Sequence, residues 1–218
     1  MIAVAAEALR NDNLNFSALM SNTDILKQAL EKLELPKEIE TYNQLQHTIA
    51  YLQEEELPEP KLPEYNHPID WAMLDDLPED RLITINTNRG AITLEMMPEL
   101  APGTVANFIA LVRQGFYQDK TIHRVVPNFV IQGGCPRGDG YGSLDYSIRS
   151  ELPPVYYDKA GYVGMASAGN HTECTQFFIT HSPAPHLDGE YTIFARVTDG
   201  LEIVHQTQIG DHIKNIEL

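Results

Sequence analysis

Residues 121–134, Thr-Ile-His-Arg-Val-Val-Pro-Asn-Phe-Val-Ile-Gln-Gly-Gly, constrain this chain more than any other stretch. The first six alternate and are rich in β-branched side chains, and Phe129, Val130 and Ile131 resume the pattern after Pro127. Such side chains suit a pleated, half-buried surface, whereas a proline inside the run marks an edge or a bend. Two short strands are predicted, ending where Gly133 and Gly134 tolerate backbone angles that other residues avoid. Arg124 and Gln132 are the exceptions in this apolar run. An unpaired guanidinium is costly to bury, so the pattern predicts that Arg124 lines an open cleft.

From Arg81 onward the chain repeats strand patterns. Residues 82–87 and 91–96 alternate about Asn88-Arg89-Gly90, which predicts a hairpin. Pro98-Glu99-Leu100-Ala101-Pro102 leads into a helix bearing Val105, Phe108, Ile109 and Val112 and ending near Gly115. Residues 135–143 are glycine-rich, but no Gly-Lys-Ser/Thr follows, so they read as a loop beside the cleft rather than a phosphate cradle. Residues 161–165 and 175–180 read as further strands, with Ser167 in the loop after the first. His186 to Tyr191 form a turn before a strand at 192–197. Asp199 is placed to cap a last helix, with Glu202 at its third position. Leu201, Ile203, Val204 and Ile209 are expected to plug one end of the sheet, and residues 213–218 to close it. At least seven strands with two helices predict a mainly β fold with α elements: a closed antiparallel barrel capped by two helices.

The hairpin and helix with Thr104-Val105-Ala106-Asn107-Phe108, the run Ile122-His123-Arg124 to Gly134, the segment Gly164-Met165-Ala166-Ser167-Ala168-Gly169 and the strand Thr175-Gln176-Phe177-Phe178 follow one another in order. In this order they resemble the cyclophilins, the family of peptidyl-prolyl cis-trans isomerases, over residues 81–218. That family usually opens its signature Phe-His-Arg; here Ile122 stands first.

The resemblance implies an isomerase acting on X-Pro bonds and assisting protein folding, with proline-containing polypeptides as partners. Rotation of a prolyl amide is opposed by loss of C–N resonance, a barrier of about 18–20 kcal/mol. It needs an apolar slot for the ring and a donor favouring the twisted amide, but no nucleophile, metal or cofactor. By the resemblance, Arg124 is that donor, Gln132 positions it and the substrate carbonyl, and Phe129 and Phe178 wall the proline pocket. Leu187 is a further wall, the backbone at Ser167 pairs with extended substrate, and Ala168 and Gln176 line the groove. Val130 stands where many members have Met, and Tyr191 where His is frequent. His186 stands where a Trp often helps to bind cyclosporin, so weak cyclosporin binding is expected; prokaryotic-type members commonly vary there. The alternative is a low-activity proline-peptide binding or scaffold module of the same fold. A third reading has residues 58–79 lying in the groove as a pseudo-substrate.

The net charge is −16, and residues 1–80 carry 5 Lys+Arg against 17 Asp+Glu, leaving −4 for the remainder. Nucleic acid is a poor partner for such a chain, because phosphate binding needs a basic face. The acidic helices either meet a protein partner or form a solvated face. No apolar run approaches the roughly 20 residues of a membrane helix, so no membrane insertion is expected. The chain as given reads as cytoplasmic; a bacterial envelope or periplasmic protein is the alternative if it is a fragment lacking an export signal. Cys135 and Cys174 fit neither a disulfide scaffold nor a zinc pattern and are read as two unrelated thiols. His171, His181 and His186 are read as loop histidines rather than metal ligands, and His123 as structural.

Before Arg81 the patterns are helical or proline-rich. Residues 2–10 have high helix propensity. Ser21-Asn22-Thr23-Asp24 offers a cap for a second helix carrying Ile25, Leu26, Ala29, Leu30 and Leu33. Pro36 suits the first turn of a third, with Ile39, Tyr42, Leu45, Ile49 and Leu52 as its stripe and an end near Gln53. Residues 1–56 therefore form a small helical region, either a self-contained appendage or the end of a HEAT-type helical repeat array. Residues 57–80 hold five prolines and read as an extended linker that docks on a domain, burying Trp71. Residues 81–218 are the isomerase-like domain.

Overall fold

The computed structural model describes residues 2–14, 16–20, 22–62, 67–75 and 77–218. They fall into two units, Met1–Pro63 and Glu64–Leu218, so the division lies inside the expected linker.

The first unit is built on its longest helix. Helices α1 (Ile2–Ala8), α2 (Phe16–Leu19) and α3 (Asp24–Leu30) each pack on α4 (Ile39–Gln53). The small Ala3 and Ala6 bring α1 close to α4, where the Thr48 hydroxyl donates to the Ala6 carbonyl at 2.9 Å. Ile39, Leu45, Ile49 and Leu52 of the expected stripe are buried. Three details differ from the sequence reading. Ser21 lies outside the described residues, and Thr23 occupies the N-cap of α3 without a side-chain bond. Ile25 is 67% exposed, so the α3 stripe is only half used. Pro36 lies in the turn before α4, which begins at Ile39 and stops where Glu54 turns left-handed (φ 55°).

In the second unit, α5 (Trp71–Asp75) is a short helix where extended chain was expected, its first turn bonded to the Asp70 carboxylate. Leu74 and Leu77 pack against the core and Met73 meets Arg113, so this segment docks within its own unit. Trp71 does not carry the docking: it is 63% exposed, because the contact is filled by the leucines.

The hairpin read at 82–96 is β1 (Leu82–Thr87) paired with β2 (Ala91–Met96). After α6 (Pro102–Arg113) come β3 (Arg124–Val126), β4 (Val130–Gly133), β5 (Tyr162–Met165), β6 (Phe177–Thr180), β7 (Ile193–Asp199), α7 (Leu201–Gln206) and β8 (Ile213–Glu217). The eight strands form one antiparallel sheet in the order β3-β4-β6-β5-β7-β2-β1-β8. The sheet curls until its ends meet beside β3 rather than on it. Thr121 bridges His212, and Ile122 donates to the Asp211 carbonyl at 2.7 Å.

The curl wraps a core in which Phe108 of α6 meets Tyr117, Phe177 and Phe194 at 4.9, 5.7 and 5.3 Å. Each such ring taken out of water contributes roughly 1.5–3 kcal/mol. Val204 of α7 is buried and Leu201 and Ile203 pack on the core, but Ile209 is 67% exposed and plugs nothing. Asp199 ends β7 and does not cap α7; left-handed Gly200 (φ 81°) makes that turn, where a Cβ would meet the Ala91 carbonyl at 2.3 Å.

Candidate active site

The β3–β4 hairpin sets Arg124 directly opposite Gln132, so the two side chains share a face. The guanidinium Nη1 donates to Gln132 Oε1 at 3.3 Å. Gln132 in turn donates through Nε2 to Gln176 Oε1 at 3.2 Å. Gln176 spends its own amide N–H groups on the Gly140 and Gly142 carbonyls, at 2.8 and 2.9 Å. The glycine-rich loop is therefore the anchor of a row that ends at Arg124. The guanidinium lies 5.8 Å from the Phe129 ring centre and forms no ion pair among the described residues. Its charge remains available to a ligand.

Below this row is a cavity of about 140 Å³ lined by Arg124, Phe129, Val130, Gln132, Ala166, Ser167, Phe178, Leu187 and Tyr191. Its floor is apolar: Val130, Phe178 and Leu187 are all buried. Phe178 is set edge-on to Tyr191 at 5.7 Å and backed by Tyr157 at 5.8 Å. Phe129 follows a turn in which Asn128 is left-handed (φ 60°), and the His181 N–H holds its carbonyl at 2.7 Å. Gly164 on β5 faces Phe178 on β6; a Cβ there would stand 2.2 Å from Tyr157 Oη and 2.4 Å from the Phe178 ring. Only glycine leaves this wall in place.

The main-chain N–H and C=O of Ser167 meet no partner among the described residues and are open to an extended peptide. Three residues expected in the groove stand back from the cavity. The Ala168 N–H is taken by Thr172 Oγ1 at 2.7 Å, which turns this exposed residue away. Gln176 acts behind Gln132, and the His186 ring lies against that of Phe129, tilted by 36° with ring centres 5.0 Å apart. No described residue of 67–79 lines the cavity, so that part of the segment suggested as an alternative pseudo-substrate is elsewhere.

His123 packs against Gly140, with both ring nitrogens buried and unpartnered. Burial lowers its pKa, Asp139 opposes this and Arg124 adds to it. A neutral imidazole therefore neighbours the charged Arg124. Both cysteines are buried free thiols; Cys135 accepts the Gly142 N–H at 3.4 Å and so supports the same loop.

Ala166, Gly164 and Tyr157 were not read from the sequence as site residues. A glycine inside a strand pattern is the signal that finds Gly164, since it marks a close approach. Nothing local distinguishes Tyr157 from its exposed neighbour Tyr156.

The family profile described as "Cyclophilin type peptidyl-prolyl cis-trans isomerase/CLD" matches residues 82–216. Peptidyl-prolyl cis-trans isomerase B of Bacillus subtilis is 48% identical over 128 residues, 58% of this chain and 90% of that protein. A Synechococcus elongatus peptidyl-prolyl cis-trans isomerase is 43% identical over 136 residues, 62% of this chain and 93% of its own length. Among solved structures, a Cryptosporidium parvum cyclophilin type peptidyl-prolyl cis-trans isomerase superposes with a TM-score of 0.60 at 33% identity. It covers 63% of this chain and 96% of its own. A second crystal structure of that protein was obtained in the presence of the dipeptide Ala-Pro.

Proposed function

The chain belongs to the cyclophilin-type peptidyl-prolyl cis-trans isomerase family, and on that premise we propose that it rotates X-Pro bonds of extended polypeptide held across the Arg124 groove. The proline ring enters the slot over Val130, Phe178 and Leu187, between Phe129 and Tyr191. The open main chain of Ser167 takes one strand-like pairing with the residues before the proline. Gln132 meets the substrate carbonyl and keeps the guanidinium in register.

As the C–N bond turns, resonance is lost and the lone pair localises on the prolyl nitrogen. Arg124 donates to that nitrogen. It makes this bond more strongly to the twisted amide than to the planar one, which is the condition for lowering the barrier. No proton is transferred and no covalent bond changes. An always-charged, planar donor suits the role because its protonation does not vary with pH.

The observation that carries the reading is the Arg124 guanidinium, without an ion pair among the described residues and held by the Gln132–Gln176 row at the rim of an apolar slot. The test is catalysis of cis-to-trans conversion in a short X-Pro peptide, with wild type and Arg124→Ala compared. Folded wild-type protein without catalysis would reject it.

A further inference from the structure

His67 lies ahead of the residues matched by the family profile, yet it touches the framework of the groove. Its ring lies flat on that of Tyr146, with centres 4.1 Å apart and planes 17° from parallel. The segment that carries it is fixed to the barrel. Ile69 packs where a Cβ on Gly103 would stand, 3.3 Å away, and Leu74 and Leu77 join the core.

Tyr146 supports Gln176 from two sides. Its hydroxyl donates to Asn107 Oδ1 at 2.7 Å, and the buried Asn107 donates through Nδ2 to the Cys174 carbonyl at 2.6 Å. Cys174 stands two residues before Gln176. Between them, Thr175 is pinned through its hydroxyl to the Gly134 carbonyl at 2.9 Å and through its own carbonyl to Tyr117 at 3.0 Å. On the other side, Tyr146 ends the short loop from Gly142, whose carbonyl receives the Gln176 amide. The Tyr146 ring thus braces both the strand that carries Gln176 and the loop to which Gln176 bonds. His67 covers the outer face of that ring.

Resting on the isomerase reading, we propose that His67 is a positioning residue for the Arg124–Gln132–Gln176 row, acting through Tyr146. The stretch before the barrel is then a working part of the isomerase unit, and a barrel without it has a looser donor row. An aromatic ring at position 67 is what the role requires, since stacking, rather than a hydrogen bond, joins it to Tyr146.

The experiment uses the full chain with His67→Ala and His67→Phe. It reads kcat and KM on a short X-Pro peptide, together with the side-chain amide NMR signals of Gln132 and Gln176. The expected result for His67→Ala is a loss of about three- to tenfold in kcat, the span that one ring stack accounts for, with KM little changed. Both amide signals shift, and His67→Phe restores rate and signals together. Unchanged rate and signals in His67→Ala, or a loss that Phe does not restore, would overturn the proposal. An inactive wild type would fail the isomerase reading instead; then His67→Ala shifting the two amide signals still supports the brace, and unshifted signals overturn it.

Discussion

Arg124 and Gln132 face each other across a three-residue strand pairing, and the second holds the first at 3.3 Å while itself being held by Gln176. Arg124, the proposed donor, is thus fixed by a row of neutral amides rather than by a carboxylate. A carboxylate would have neutralised the guanidinium; the amides orient it and leave its charge for the substrate.

If the row works in this way, Gln176 matters without touching substrate. Gln176→Ala frees Gln132 and leaves the Gly140 and Gly142 carbonyls to water. One positioning hydrogen bond is worth about 1 kcal/mol, which corresponds to roughly a fivefold to tenfold loss in kcat/KM. Steady-state kinetics on an X-Pro peptide check this, and wild-type kinetics in the variant would show that Gln132 holds Arg124 unaided.

Gly164→Ala tests the wall of the slot. The added methyl meets Tyr157 Oη and the Phe178 ring inside contact distance, so one of them must move. Overpacking of this kind destabilises by about 1–3 kcal/mol. The expected outcome is a lower unfolding midpoint in denaturant and a raised KM, because Phe178 is displaced toward the proline site. A variant with both values unchanged would contradict the fit described for Gly164.

Glu173 gives a prediction in pH. Its side chain is fully buried. Burial raises its pKa above the usual range, while Ser150, His171 and Thr192 beside it oppose the shift without reversing it. In the window between the unfolded value and this raised folded value, the native state binds more protons than the unfolded one. Stability from this group therefore falls as pH rises through that window, and the deficit persists above it. Glu173→Gln removes the ionisation, so its gain in thermal midpoint over wild type should grow from pH 4 toward neutrality. A gain that is constant with pH, or a loss that grows, would contradict the assignment.

Much of this arrangement could be read from residues alone. The alternation at 82–96 and 121–134 has period two, so it located the hairpin and the strand pair of the groove. Arg124 and Gln132 stood out because polar side chains on an apolar strand need an opening. Phe129, Val130, Ser167, Phe178, Leu187 and Tyr191 line the same cavity as the resemblance implied. What escaped depends on contacts and turns that residue patterns do not specify. Gln176 reads as a groove residue but acts behind Gln132, because the register of β4 on β6 decides which amide is outermost. Ala168 is turned out by a bond to Thr172 that no pattern announces. Trp71 is exposed because two leucines fill the contact, a matter of packing rather than of residue type. Asp199 suits a cap by spacing, but β7 runs through it and the turn falls to Gly200.

The most direct test is the rate of cis-to-trans conversion in a short X-Pro peptide for wild type, Arg124→Ala and Arg124→Lys. Arg124 is exposed, so neither change should disturb folding. Strong catalysis is expected of wild type, and a loss of about 100- to 1,000-fold of Arg124→Ala, the range for removing a donor that acts on the transition state. Only partial recovery is expected in Arg124→Lys, which keeps the charge but not the planar fork. Catalysis by folded Arg124→Ala at the wild-type rate would contradict the account at its centre.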